Sequence, residues 1–109
     1  MRKQKVYISG PMTGIVDNNY PAFNEAEDVL LDMGYEVINP ASNTIPEPPT
    51  WASFMRIAIP QLCECDIICL LHGWGDSKGA KLEAEIGAHL GLEIVLMKEF
   101  VENKEEVKE

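Results

Sequence analysis

Ser77-Lys78-Gly79-Ala80-Lys81-Leu82-Glu83-Ala84-Glu85-Ile86-Gly87-Ala88-His89-Leu90-Gly91 follows an apolar run, Ile67-Ile68-Cys69-Leu70-Leu71, across the short linker His72-Gly73-Trp74-Gly75-Asp76. This reads as strand, loop and helix. At about 100° per residue, Ala80, Ala84, Gly87, Ala88 and Gly91 share one side of the helix, and Leu82, Ile86 and Leu90 widen the apolar arc. Lys78, Lys81, Glu85 and His89 take the opposite side. Glu83 falls inside the apolar arc, between Gly87 and Leu90. Glutamate is rarely buried without a partner, so Glu83 is the anomaly of this helix and Glu85 an ordinary surface charge. Two readings of Glu83 stand at this point. Either it edges the core or caps a neighbouring backbone group, or it sits at a loop mouth on a sheet edge, where open α/β folds bind ligands.

Upstream, Lys5-Val6-Tyr7-Ile8-Ser9 is a first strand with Val6 and Ile8 on one face and Tyr7 and Ser9 on the other. Gly10-Pro11-Met12-Thr13-Gly14 is a turn-rich loop with neither Walker nor dinucleotide spacing. It either presents the N–H groups of Gly10, Met12, Thr13 and Gly14 to an anion or simply joins strand to helix. It runs to Asn19-Tyr20, beyond the usual length of about 2–6 residues for such a connection. Pro21 is a good first helical residue. Phe23, Ala26, Leu30 and Met33 form the core face of a helix over 21–33, which Gly34 stops. Tyr35-Glu36-Val37-Ile38-Asn39 is the second strand, ended by Pro40.

Residues 41–50 hold Pro46, Pro48 and Pro49, and are expected to lack helix and strand and to lie beside the Gly10 loop. Thr50 is the N-cap of the next helix. Trp51, Phe54, Met55, Ala58, Leu62 and Cys65 form its expected buried stripe, and Pro60 is expected to kink it. Asp66 opens the third strand, which is apolar on both faces as a central parallel strand is. Glu93-Ile94-Val95-Leu96-Met97 is the fourth.

The order β-α-β-α-β-α-β predicts a parallel sheet with helices on both faces: a three-layer, doubly wound α/β fold of the Rossmann or flavodoxin kind. Right-handed crossovers favour strand order 2-1-3-4, with the switch point between strands 1 and 3. There the Gly10–Asn19 and His72–Ser77 loops meet, so Tyr7, Ser9, Gly10, Ser77 and Glu83 are expected to converge. Residues 1–97 form one domain, followed by an acidic tail over 98–109, read as a solvated helix or frayed end.

Composition narrows the function. A chain of 109 residues supports one modest core, and 46% hydrophobic content is that of a globular protein. A net charge of −9 argues against a nucleic-acid surface, though not against a small phosphorylated ligand held by backbone N–H groups. No apolar run approaches the ~18 residues of a membrane span, and the N-terminus leads into a strand rather than a signal sequence. The expected compartment is the cytoplasm. Cys63, Cys65 and Cys69 read as reduced thiols. Cys63-Glu64-Cys65 with His72 matches no zinc spacing, so neither metal nor cofactor is expected.

Tyr7-Ile8-Ser9-Gly10-Pro11-Met12-Thr13-Gly14, Asn39-Pro40, Asp66-Ile67-Ile68, Gly73-Trp74, Ser77-Lys78-Gly79-Ala80 and Glu83 together resemble the DUF4406 family. That family is similar to the nucleoside 2-deoxyribosyltransferases and the deoxynucleoside 5′-monophosphate N-glycosidases. The resemblance covers about residues 4–97. It implies that Glu83 attacks the anomeric carbon, that Ser77, six residues earlier, contacts the sugar, and that Tyr7 orients the carboxylate. Ser9, Gly10, Met12, Asn39, Trp74, Ser77 and Gly79 are then the expected substrate-binding residues, with Ser9 and Ser77 on the sugar or a 5′-phosphate. One position departs from the N-glycosidases, which carry an aspartate eight residues before the third strand's opening aspartate. Here it is Ala58. Asp66 stands at the opposite end of that strand, roughly 16 Å from the loop, whereas Asp17 and Asp76 are on loops at the correct end.

The expected function is cleavage of the N-glycosidic bond of a nucleoside or nucleotide, by hydrolysis or transfer. The alternatives are a nucleotide-binding or sensing module without turnover, and an interaction protein acting through its acidic tail. The implied partners are a small nucleoside or nucleotide and, with Trp74 read as exposed, other copies of the chain in a dimer or larger homo-oligomer.

Overall fold

In the computed structural model, which describes residues 3–107 and side chains through residue 103, strand and helix alternate from end to end. The elements are β1 (Lys5–Ser9), α1 (Tyr20–Asp32), β2 (Glu36–Ile38), α2 (Trp51–Cys63), β3 (Ile67–Leu70), α3 (Lys78–His89), β4 (Glu93–Leu96) and α4 (Met97–Val107). All strand pairs are parallel, in the order β2-β1-β3-β4. This is the predicted doubly wound topology. The register pairs Ser9 with Leu70, so β1 and β3 end together at the switch point.

Period-2 alternation along the two central strands sorts the core into two layers. Val6, Ile8, Ile67 and Cys69 pack with Phe23, Ala26 and Leu30 of α1 and Phe100 of α4. Tyr7, Ile68 and Leu70 pack with Ala58 and Leu62 of α2, and Ala84 and Ile86 of α3 flank them. Helices α1 and α4 therefore cover one face of the sheet, and α2 and α3 the other. Gly34 and Gly91, at φ of 95° and 83°, close α1 and α3 with paired bonds: Gly34 N to Leu31 O and Tyr35 N to Leu30 O, and Gly91 N to Ala88 O and Leu92 N to Gly87 O. Left-handed backbone at these positions favours glycine.

The β1–α1 loop ends in three successive non-glycine residues with left-handed backbone, Asp17, Asn18 and Asn19 (φ 55°, 51° and 61°). Asn and Asp tolerate this region best. Asn19 Nδ2 donates to Pro11 O at 2.9 Å, tying the two ends of the loop.

Several sequence expectations are corrected. Trp51 and Phe54 are exposed rather than buried. A 13-residue helix is about 20 Å long and a four-residue strand about 13 Å, so the first turn of α2 overhangs the sheet. Helix α2 contains Pro60 and ends at Cys63, so Cys65, read as part of its stripe, is instead a buried residue of the turn into β3. On α3 the buried seam is Ala80, Glu83 and Gly87. Ala88 and Leu90, read as part of the apolar arc, are exposed: Ala88 is turned away from the seam, and Leu90 is the capping residue after the helix. Pro40–Ser42 forms a 3-10 turn within a stretch expected to be irregular. Its neighbourhood is tied to α1 and α2, through Asn39 to Asn24 and Glu27 and through a reciprocal amide pair between Asn43 and Gln61.

The acidic segment after residue 97 is helical, and it is anchored. Phe100 is 3% exposed and meets Tyr35 edge to face at 5.7 Å. The side chains of Glu105 and Glu106, and the whole of Glu109, lie outside the described residues. Among the described residues, no helix is long and apolar enough to cross a membrane.

Candidate active site

Glu83 is 6% exposed, and Tyr7 and Ser9, whose hydroxyls hold its carboxylate, are each 1% exposed. Tyr7 Oη donates to Oε2 at 2.7 Å. Ser9 Oγ donates to Oε1 at 2.6 Å. Both lengths are those of charge-assisted hydroxyl–carboxylate bonds. Tyr7 and Ser9 reach Glu83 together because residues i and i+2 of a strand share a face, here the one covered by α3. The small residues Ala80 and Gly87 flank Glu83 on the buried seam of the helix. An added Cβ at Gly87 would stand 3.6 Å from Ile94 Cδ1 and 3.9 Å from Ile68 Cγ2, so the helix lies close over the sheet.

Burial pushes the Glu83 carboxyl above its ordinary value, and the hydrogen bonds from Ser9 and Tyr7 partly oppose that rise. Burial, and then the charge of Glu83, push the Tyr7 phenol far up. Tyr7 is therefore a fixed hydrogen-bond donor at physiological pH and not a base. The unit is an acceptor gripped by two neutral donors, with the ionised form disfavoured by desolvation.

The remaining predicted site residues are placed as follows. Ser77 caps α3, its Oγ accepting from Ala80 N at 3.2 Å. Gly79 lies one turn before Glu83, where an added Cβ would stand 3.4 Å from Met55 Sδ and 3.5 Å from Trp51 Nε1. The first turn of α2 thus leans over the start of α3, and Lys78 Nζ sits 4.1 Å from the centre of the Trp51 ring. Trp74, which the sequence leaves open between an exposed and a core position, is half-buried against the core between the sheet and α2–α3. Met12 packs on the opposite, α1-side core. Asn39 is buried and bonded to α1. Met12 and Asn39 are therefore not drawn into the Glu83 cluster. Asp66 accepts from Lys5 N at 2.9 Å at the amino ends of the strands, far from the loops. Ala58 is part of the core that also contains Tyr7.

A recess of about 650 Å³ opens at the same edge of the sheet but between α1 and α4, with Leu71, Trp74 and Met97 among its walls. Glu83, Tyr7 and Ser9 do not line it. Sequence reasoning missed the approach of Trp51 and Met55 to Gly79, since a helical stripe does not say which turn of a helix overhangs its sheet.

Gly10 has a packing reason to be glycine. A Cβ there would stand 2.8 Å from Leu71 Cβ and 3.0 Å from Leu71 Cδ1. The Leu71 Cβ cannot swing aside without moving its backbone. Gly10→Ala is expected to destabilise the fold by about 1–3 kcal/mol as an overpacked site does, read as a lowered Tm in thermal unfolding.

A doubly wound α/β domain with a buried, hydroxyl-held glutamate beside its topological switch point is the class that this fold and site define. The chain belongs to the DUF4406 family, a domain of unknown function, which it matches over residues 4–96. Comparison with curated proteins finds no match. Among solved structures, the 2-deoxyribosyltransferase of the psychrotolerant bacterium Bacillus psychrosaccharolyticus is similar, with a TM-score of 0.68 over 84% of this chain and 70% of that one, at 22% identity. The likeness is one of fold.

Proposed function

We propose that this chain cleaves the N-glycosidic bond of a nucleoside or nucleotide, a 2′-deoxy one, with Glu83 as nucleophile. The observation that carries the reading is the buried Glu83 carboxylate held by Tyr7 and Ser9. It lies at the ligand-binding edge of a fold shared with a 2-deoxyribosyltransferase.

In the first step a Glu83 oxygen bonds to C1′ as the C1′–N bond breaks, through an oxocarbenium-like transition state. The base leaves with the bonding pair and takes up a proton. In the second step water, or the nitrogen of a second base, bonds to C1′ and Glu83 leaves as a carboxylate. The attacking group gives up its proton to the loop aspartate that protonated the departing base. Tyr7 orients the carboxylate and stabilises its charge each time it forms. Lys78 and Gly79, the first two residues of α3, offer N–H groups to the sugar or a 5′-phosphate. Asp76 or Asp17, on the loops at that edge, supplies the proton that the base requires.

A second reading has one observation in its favour. Ala58, at the position of the N-glycosidase aspartate, is a core residue beside Tyr7 and brings no acid to the site. The chain is then a nucleotide-binding module without turnover. Incubation with mixed 2′-deoxynucleosides and their 5′-monophosphates, with and without a second free base, decides between the two. Chromatography should detect released base, or exchanged nucleoside when a second base is present. Ligand binding without either product would support the module.

A further inference from the structure

The geometry points to Ser9 as a positioning residue that marks Oε1 of Glu83 as the attacking oxygen and turns to the sugar once that oxygen is esterified. This rests on the glycosidic reaction proposed above, and it gives Ser9 a role different from holding phosphate.

Ser9 is the last residue of β1, at the edge where the loops after β1 and β3 meet. Tyr7 is two residues, about 6.6 Å, further from that edge. The oxygen held by Ser9, Oε1, is thus the one nearer the mouth, and Tyr7 holds the other. A serine hydroxyl has a single proton to donate. In this structure Ser9 donates that proton to Glu83 Oε1, so Ser9 has none to offer a phosphate oxygen, which can only accept. A carboxylate oxygen, by contrast, has two acceptor sites. With one taken by Ser9, the second lone pair of Oε1 remains to bond C1′.

Esterification changes the balance. Oε1 becomes the alkoxy oxygen of an ester and loses its negative charge, so its bond to Ser9 weakens. The Ser9 hydroxyl is buried, and a buried donor without an acceptor is costly. The sugar now bonded to Oε1 brings the nearest new acceptors, its ring oxygen and its hydroxyls, and rotation about the Ser9 Cβ–Oγ bond suffices to reach them. When the ester is displaced, the charge returns to Oε1 and so does the Ser9 hydrogen bond. Tyr7 keeps its partner throughout, because Oε2 is a carboxylate oxygen before and an ester carbonyl oxygen after.

Burial and the hydrogen bonds from Ser9 and Tyr7 set the titration of Glu83. Tyr7 of β1 is a neutral donor. Cys65, in the turn after α2, is buried with its thiol pushed up to about 11, and so is neutral at physiological pH. Lys78, Lys81 and Glu85 of α3 and Asp76 of the preceding loop are exposed. Lys78 is engaged with the Trp51 ring.

The test compares Ser9→Ala with Ser9→Thr, which restores the hydroxyl. Carbon-13 NMR of protein labelled at the glutamate carboxyl follows the Glu83 titration directly, its signal assigned by its absence from Glu83→Gln. Ser9→Ala should raise the titration midpoint and move the acid limb of kcat/KM up with it. It should also lower kcat about tenfold to a hundredfold, as expected for one hydrogen bond to a charged group. KM for nucleosides and for their 5′-monophosphates should stay within about twofold, and Ser9→Thr should recover most of each change. An unmoved Glu83 midpoint in Ser9→Ala overturns the role of Ser9 alone. So does a KM that rises only for 5′-monophosphates while kcat is kept, which would make Ser9 a phosphate ligand. Absence of base release from the unmodified protein overturns the glycosidic reading, and the attacking-oxygen assignment with it.

Discussion

Glu83→Gln is expected to abolish base release, lowering it by several orders of magnitude, as removal of a covalent nucleophile does. Glutamine has the size of glutamate and can still pair with Tyr7 and Ser9, but its amide cannot form the glycosyl ester. The variant should fold, and it should be more stable than the parent at neutral pH. The sign follows from burial. The Glu83 carboxyl titrates above its ordinary 4.5 in the folded state. Its favourable contribution is therefore fully present below the unfolded value and is lost as pH rises through the folded one. At pH 7, above the unfolded value, the parent has lost stability through the raised titration of this buried carboxyl, and the glutamine variant, which does not titrate, has not. Thermal unfolding of both proteins from pH 4 to pH 8 should show a Tm gap that favours the variant at pH 7–8 and shrinks on acidification. Glu85→Gln is the matched control: its side chain is exposed on the same helix, and it should change neither activity nor Tm appreciably. Equal losses of activity from the two substitutions would overturn the nucleophile assignment. Intact ligand binding with no turnover in either parent or variant would support the binding module.

That stabilisation by a substitution accompanies loss of function is expected where a site is built at the expense of the fold, and it bears on what could be read in advance. Glu83 was legible because its place on the α3 wheel violates the apolar pattern around it, and patterns fail most tellingly at functional sites. The fold was legible for a related reason. β3 is apolar on both faces and strands alternate with helices, so few topologies remain once crossover handedness is imposed. Ser9 was legible in part: the sequence brings it to the same edge as Glu83, as observed. Its face of β1 follows from period-2 alternation, yet the identity of its partner depends on how closely α3 lies over the sheet, a distance set by Ala80 and Gly87 packing on residues of other elements. Trp51 was misread because a wheel gives the direction of a side chain and not whether sheet exists beneath it at that height, and Leu90 because it is the capping residue after the helix. Phe100 was hidden by its acidic neighbours, since net charge describes a segment and burial belongs to single residues. Met12 and Asn39 stand in loops that lead away from β1 and β2, and their turn toward α1 is decided by contacts with Phe23-side core residues and with Asn24 and Glu27.

Tyr7→Phe should lower kcat by about 10²–10³, the loss that follows removal of one preorganised donor from a developing or departing anion, with little change in KM. The substitution deletes the 2.7 Å bond to Oε2 and leaves that oxygen buried without its donor, so the ionised form of Glu83 becomes harder to maintain. The acid limb of the pH–rate profile should therefore move up. The phenol itself should contribute no basic limb, because burial and the Glu83 charge keep it protonated well beyond the working range. The two steps of the reaction are affected differently. In the first, the Tyr7 bond withdraws charge from the attacking carboxylate and moderates its nucleophilicity, so losing it is partly compensated. In the second, the carboxylate is the leaving group and the same bond stabilises it fully, so losing it slows breakdown of the ester. Rapid-quench kinetics of Tyr7→Phe should show a burst of free base followed by a slow steady state, and mass spectrometry of the quenched protein should show accumulated glycosyl-enzyme. In the Glu83→Gln background the same substitution should cost almost nothing further, since two residues that act through one bond are strongly non-additive. Additive losses in the double variant would mean that Tyr7 serves catalysis by a route other than Glu83.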